Sequence, residues 1–254
     1  MIKNRQIYKM SITIISYNFN SENVNMTKRI YCLAKLIYEN KPNIVFLQEI
    51  TNNILKFIHK NEFLSKYYHI SKKKIDNYFD NVTLVFKSFR IVSIKNIKFS
   101  KTNMNRYFEE TIIKIQNNNY FLINSHLESY FKNYKIKLNQ LEEIFKKYKN
   151  RENIVIGMDS NLNGIPEDVL LKKYCFSDSY LSFISSTKKK IKKYTFNYRT
   201  NKMVKGRFKS RLDRCYFGNS RWKILNYEII GNDNFKKYGF EISDHFGILV
   251  EIKM

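Results

Sequence analysis

Chain breakers are scarce in this sequence. Its 254 residues include only seven glycines, two prolines and one tryptophan. No stretch rich in Gly, Pro or Ser marks a linker and no internal repeat is visible, so residues 1–254 read as a single domain. Cysteine is rare as well. Cys32, Cys175 and Cys215 lie far apart and form no CxxC, which argues against a disulfide scaffold or a cysteine zinc site and points to a reducing, intracellular setting. The apolar run after Met1-Ile2-Lys3-Asn4-Arg5 is already broken at Ser16-Tyr17-Asn18. It is too short and polar to span a membrane and lacks a signal-peptide cleavage pattern, so no membrane partner is expected. A monomer is expected. Acidic residues are few, 22 against 46 Lys and Arg, for a net charge of +24. That charge has two readings. One is attraction to polyanions such as nucleic acid. The other is an AT-rich genome, which also accounts for the abundance of Asn, Ile, Tyr and Phe.

What is present is a series of short, β-branched runs, each closed by a polar break, as strands are. They are Ile12–Ile15, Ile44–Leu47, Val82–Phe86, Thr111–Ile115, Tyr120–Ile123, Asn153–Ile156, Leu212–Phe217 and Gly247–Ile252. Met26–Tyr38 and Ile136–Tyr148 carry apolar residues at helical spacing. Helices alternate with strands early and strands dominate later, which suggests two stacked layers of strands with helices outside.

The polar breaks carry complementary chemistry. Phosphodiester hydrolysis needs a cation on the phosphate, a base for water and donors for developing charge. Glu49, at the end of Ile44–Gln48, is a hard oxygen ligand suited to magnesium or manganese, or simply a solvated glutamate. Asp159 and Asn161 are two apart in an extended segment and share a face. One can accept a proton from water while the other donates to phosphate; an Asx turn is the plainer alternative. His126 follows one strand and His245 precedes the last, whereas His59 and His69 lack such a setting. Asp213 suits the task of orienting His245 and keeping it protonated, or else pairs with Arg211 or Arg214.

In order, these stand as Tyr17-Asn18, Leu47-Gln48-Glu49, Ser125-His126, Asp159-Ser160-Asn161 and Ser243-Asp244-His245. The series resembles the endonuclease/exonuclease/phosphatase (DNase I-like) superfamily over nearly the whole chain. The blocks Ser125–Ser129, Tyr194–Asn197, Arg211–Arg214 and Ser243–Gly247 look most like its tyrosyl-DNA phosphodiesterase branch. The resemblance implies an α/β fold, a four-layer sandwich of two packed, mainly antiparallel sheets flanked by helices. It implies a Mg2+-dependent (or Mn2+-dependent) phosphodiesterase that frees trapped protein from tyrosine-linked DNA 5′ ends, in DNA repair. Single-stranded nucleic acid would be the partner.

On that resemblance Glu49 holds the metal, with Asn20 and Asp244 assisting. Asp159, oriented by Asn18, activates water. Asn161, His126 and protonated His245 stabilise charge, and Asp213 orients His245. Arg106, Arg211 and Arg214 meet phosphates, and Phe196 stacks on a base or packs in the core. Four positions depart from the branch: Asn20 replaces an Asp, Met158 a Gly, Phe196 a Trp, and Tyr130-Phe131 stand where an Arg is expected. Two alternatives remain: an abasic-site nuclease or phosphatase of the same fold, and a nucleic-acid-binding protein whose catalysis Asn20 has weakened.

Overall fold

A computed structural model describes residues 11–163, 167–218, 222–233, 237 and 239–253. The segment Met1 to Arg5, read above for targeting signals, lies outside them. No described helix is long and apolar enough to cross a membrane.

Two six-stranded sheets form the centre. The first contains β1 (Ser11–Asn18), β2 (Ile44–Ile50), β3 (Tyr68–Ile70), β4 (Asp80–Phe86), β13 (Lys223–Ile230) and β14 (Gly247–Lys253), in the order β13-β14-β1-β2-β4-β3. The second contains β5 (Arg90–Lys98), β6 (Tyr107–Ile115), β7 (Asn118–His126), β8 (Ile154–Asp159), β9 (Phe176–Asp178) and β12 (Asp213–Gly218), in the order β5-β6-β7-β8-β12-β9. A two-stranded ribbon of β10 (Phe196–Asn197) and β11 (Lys209–Ser210) stands apart. Each large sheet has one parallel pair at its centre, β1–β2 and β7–β8, and antiparallel pairs elsewhere.

Alternation along the strands builds the layers. Ile12 and Ile14, Ile44 and Phe46, Leu122, Val155, Cys215 and Phe217, and Ile248 and Val250 point between the sheets and form the central core. The intervening residues face outward. Ile15, Tyr17, Val45 and Leu47 pack on α1 (Met26–Asn40) and α2 (Asn52–Lys60). Ile123, Ile154, Ile156 and Met158 pack on α4 (Tyr134–Tyr148) and α5 (Asp168–Tyr174). The result is helix, sheet, sheet, helix. Full burial of each such side chain contributes about 1.5–3 kcal/mol. The sheets approach closely at Gly157, where a Cβ would lie 2.2 Å from the Phe46 ring. Glycine is therefore needed there, and Met158 beside it turns to the outer core.

The structure adds short elements that the patterning left unmarked: α2, α3 (Glu62–Tyr67), α5, α6 (Ser179–Thr187), and edge strand β5. The helices span six to nine residues, too few turns to establish a clear periodicity, and three start from local caps, Asp178 accepting from the Leu181 amide at the head of α6. Thr51 accepts from the Ile54 amide and Asn61 from the Leu64 amide. β5 is mostly exposed, so its alternation is weak.

Candidate active site

The same alternation that fills the core delivers the site. Continuing the inward positions to the strand ends gives Ser16 and Asn18 on β1, Gln48 on β2, Asn124 and His126 on β7, and Asp159 on β8. β12 begins with inward Asp213. Register then sets the neighbours: Asn18 lies beside Gln48, His126 beside Asp159, and Asp159 opposite Asp213. All fall at one end of the sandwich, between the sheets. Just below, Gln48 donates to Asn124 across the two sheets at 2.8 Å, and Asn124 donates to Thr83 at 3.3 Å. This polar layer ties the sheets together under the site.

Glu49 follows inward Gln48 and, on a regular strand, would face α1. A bulge between Leu47 and Ile50 and a left-handed backbone (φ 59°) redirect it. Its Oε1 accepts from Asn18 at 3.0 Å and its Oε2 from the Ser21 amide at 3.1 Å. Asn161 and Asn20 are also left-handed, at φ 52° and 61°. Three of the site residues predicted from sequence therefore sit in backbone conformations that cost energy elsewhere.

Asp159 is the hub. Its Oδ2 accepts from Asn18 at 2.9 Å and lies 3.3 Å from His126 Nε2 and 3.8 Å from His245 Nε2. Its Oδ1 accepts from the Asn161 amide at 3.0 Å. Burial, reinforced by the Asp213 charge, pushes its pKa up to about 6. His245 is fixed from both ends. Its Nδ1 donates to Asp213 at 2.9 Å, and its own amide donates to Ser243 Oγ, which in turn donates to the Asn18 carbonyl. Burial opposes a charge on His245, but the Asp213 and Asp159 carboxylates outweigh it and hold its pKa well above the usual value. His126 is the reverse case. Burial, then the Arg106 cation, lower its pKa well below the usual value. The Arg106 guanidinium lies 3.2 Å from Nδ1 and 3.5 Å from Nε2; with Nδ1 accepting the shorter contact, the proton of the neutral ring falls on Nε2, 3.3 Å from Asp159.

Several residues to which the sequence assigned no role hold this arrangement. Arg29 is fully buried and donates to the carbonyls of Phe19, Asn20, Glu22 and Ile242, pinning the loop after β1 to the approach of the last strand. Glu128 accepts from Thr102, Asn103, Met104 and Asn133, and so fixes the loop that carries Arg106. Thr195 Oγ1 accepts from the amides of Leu212 and Asp213. Phe79 stacks on His126 (5.9 Å between centroids) with Arg106 over its face. Arg29 and Phe79 carry no signal in the sequence, because they act by packing or on backbone carbonyls; Glu128 and Thr195 lie inside the blocks Ser125–Ser129 and Tyr194–Asn197, but nothing in the sequence showed which atoms they would hold.

The residues assigned to nucleic-acid contact from sequence are engaged by protein partners in the structure. Arg214 follows inward Asp213 and therefore faces outward, where it is buried on Glu167 at 2.7 Å. Arg211 pairs with Asp178 at 2.7 Å. Neither offers its guanidinium to a phosphate at the site. Phe196 lies edge-on to His245 (5.1 Å) and is covered by Phe208, so it packs and the outer, exposed ring is Phe208. Arg106 remains at the site, but against His126. Asn20 Oδ1 accepts from the Glu22 amide, and Asp244 lies 3.3 Å from Ser243 Oγ, with Asp244 outside the clustered acidic and imidazole groups.

Two overlapping groups have ligand atoms close enough to hold a metal ion: Glu49, His126 and Asp159, and Asp159, Asp213 and His245, each within 4.8 Å. The second is occupied by its own internal hydrogen bond. The first contains Glu49, whose side chain is 21% exposed against 4% and 1% for its partners. One accessible carboxylate beside open space fits a hard cation, which takes one or two carboxylates and completes its shell with water and substrate oxygens.

No family model matches the chain. Tyrosyl-DNA phosphodiesterase 2 of Gallus gallus is 24% identical over 256 residues, covering 94% of this chain and 66% of that protein. A 5′-tyrosyl-DNA phosphodiesterase of Caenorhabditis briggsae is 29% identical over 119 residues, 46% of this chain and 33% of that protein. The chain thus spans just under two thirds of the one and a third of the other. D. rerio TDP2, solved with a single-strand DNA product, superposes with a TM-score of 0.83 at 22% identity, covering 96% of this chain and 99% of that one. An endonuclease/exonuclease/phosphatase family protein from Bacteroides thetaiotaomicron gives 0.73 at 18% identity, over 97% and 98%. A mannosyl-6-phosphatase from the same organism gives 0.72 at 18% identity, over 95% and 99%.

Proposed function

We propose that this chain, which has the DNase I-like fold of the endonuclease/exonuclease/phosphatase superfamily, hydrolyses phosphodiesters linking tyrosine to DNA 5′ ends. The observation that carries the hydrolytic reading is Asp159, held by Asn18 and flanked by a charged His245 on Asp213. The likeness to the chicken and nematode phosphodiesterases and the DNA product bound to the zebrafish protein support the substrate class.

Above pH 6 Asp159 is a carboxylate able to take a proton from water, with the Asn18 amide orienting it. The His245 imidazolium directs an N–H toward the same space and is available to charge building on phosphate oxygens. His126 offers its Nε2–H from the opposite side. Lys137 fixes the Asn161 carbonyl at 2.9 Å and so the loop that presents the Asn161 amide. A magnesium or manganese ion on Glu49, with Asn20 and Asp244 as further oxygen sources, would neutralise phosphate charge. A tyrosine phenol has a pKa of about 10, so the phenolate departs without a strong acid, and no buried acid aimed at it is required. Room for the departing ring exists beside His126, in a cavity of about 380 Å³ lined by Tyr78, Phe79, Met104 and Arg106.

Asn20 does not argue for a silent binder on this geometry. Its side chain shapes the loop around Glu49, which itself groups with His126 and Asp159. A phosphatase is the second reading, motivated by the Bacteroides mannosyl-6-phosphatase. A 5′-tyrosyl oligonucleotide, an abasic duplex and a sugar phosphate, each assayed with and without Mg2+, separate the readings. Metal-dependent tyrosine release in excess over the other two is expected. Abasic cleavage or sugar-phosphate hydrolysis without tyrosine release sinks the proposal.

A further inference from the structure

A second cavity, of about 870 Å³, lies beyond the catalytic groove. Part of its wall is the segment 194–202, which the catalytic strand approach holds in place. Phe246 donates to the Thr195 carbonyl at 2.7 Å, and Asn201 donates to the Ser243 carbonyl at 2.8 Å. Three chemistries line the cavity. Tyr180, Ile184, Ile191, Ile229 and Phe246 supply flat, apolar surface. The run Lys189, Lys190, Lys192 and Lys193 supplies an exposed cationic rim, with Lys193 over the Tyr194 ring at 5.1 Å and Arg199 over Tyr198 at 5.6 Å. Glu241 supplies a carboxylate.

Glu241 is 3% exposed, and neither of its oxygens has a hydrogen-bond partner among the described residues. Burial pushes the Glu241 pKa up, and the Lys202 amide and ammonium nearby pull it the other way. A buried carboxylate with neither oxygen closing a hydrogen bond is costly, and further donors are what a ligand would bring. The rim selects an anion, the apolar walls a planar ring, and Glu241 two adjacent N–H groups. Asp233 also lines the cavity, which places the anion on the lysine side.

We propose that this cavity is a guanine-nucleotide subsite for single-stranded nucleic acid. Guanine is the base that sets two N–H donors, N1–H and N2–H, side by side on one edge, matching a carboxylate. Adenine and cytosine place an acceptor beside their amino group, and thymine and uracil flank one N–H with carbonyls, so each meets Glu241 with repulsion. The phosphate lies on the lysine rim, and the volume accommodates one nucleotide. The strand assignment rests on the proposed nucleic-acid substrate; the base selectivity does not.

The test is binding to the full chain by calorimetry and fluorescence anisotropy. The ligands are GMP, AMP, CMP and UMP, and 5′-phosphorylated tetranucleotides that differ by a single dG or dC. Guanine should bind about tenfold more tightly than the other bases, the discrimination expected of one good two-point contact. Glu241→Gln should erase that preference while the melting temperature holds or rises, since a buried charge is removed. The double variant Lys190→Glu/Lys192→Glu should weaken all nucleotides and leave the preference intact. Equal affinity for all bases, a preference that survives Glu241→Gln, or no nucleotide binding overturns the subsite. A guanine preference seen with mononucleotides but absent from the tetranucleotides overturns the strand assignment. Hydrolysis of an aryl ester of thymidine 5′-phosphate reports the catalytic reading separately, because that substrate carries no guanine.

Discussion

Asp159 is flanked by two histidines in unlike surroundings. On one wing, His245 sits between two carboxylates, Asp213 at 2.9 Å and Asp159 at 3.8 Å, and is held charged. On the other, His126 sits against the Arg106 guanidinium, under Phe79, and is held neutral. Both rings are almost fully buried, so desolvation disfavours charge on each, and the sign of the nearest neighbour decides the outcome. The site gains a cationic donor and a neutral donor from the same residue type. One matches negative charge on the phosphate; the other supports the base without competing for its proton.

The strongest way to break this contrast is to remove the charged wing. His245→Ala should lower kcat by about a thousandfold, and Asp213→Asn by about a hundredfold; the first should also lower the melting temperature, because it leaves buried Asp213 without its partner. Near-normal turnover in His245→Ala would falsify the assigned role. Histidine NMR titration should show His245 losing its proton far above neutrality in the native chain and near the ordinary value in Asp213→Asn.

The neutral wing should respond less. Arg106→Met removes the cation from His126, so the His126 pKa should rise and kcat fall by about tenfold. An unmoved His126 titration in that variant would show that burial alone keeps the ring neutral.

The pH profile sharpens the contrast further. Asp159 must be ionised to accept a proton, and its pKa is raised to about 6. Turnover should therefore fall about tenfold per unit on the acid side, beginning near pH 6 or, with Mg2+ bound beside Asp159, below it. It should stay level above, and decline only where His245, with its raised pKa, loses its proton. A profile flat down to pH 4.5 would remove Asp159 from the role of base.

Asn20→Asp is the smallest change expected. A carboxylate there adds a harder ligand near Glu49, and half-saturation by Mg2+ should drop a few-fold with kcat nearly unchanged. A native chain inert with Mg2+ and an active Asn20→Asp variant would instead favour the binding-protein reading.

Much of the frame was legible in the chain. The two principal helices and the main inner strands follow from the spacing of apolar residues, and the polar islands sit where those strands end. Even the failure of Arg214 to reach the site is a matter of parity, since it alternates with Asp213. Other features had no sequence signal. Glu49 reaches the site through a bulge that reverses its face. Arg211 finds Asp178 from a distant element. Arg29 positions a loop by donating to backbone carbonyls, which every residue type has.

The sequence by itself determined which side chains were available at strand ends and in what order, because a period of two assigns each to a face. Tertiary structure alone decided what those side chains are chemically. Asn18 meets Asp159 across 141 residues and His245 meets Asp213 across 32. Charge state depends on burial and on distances of a few ångströms between such groups. Two histidines identical in the sequence become a cation and a neutral donor only when the sheets close on each other.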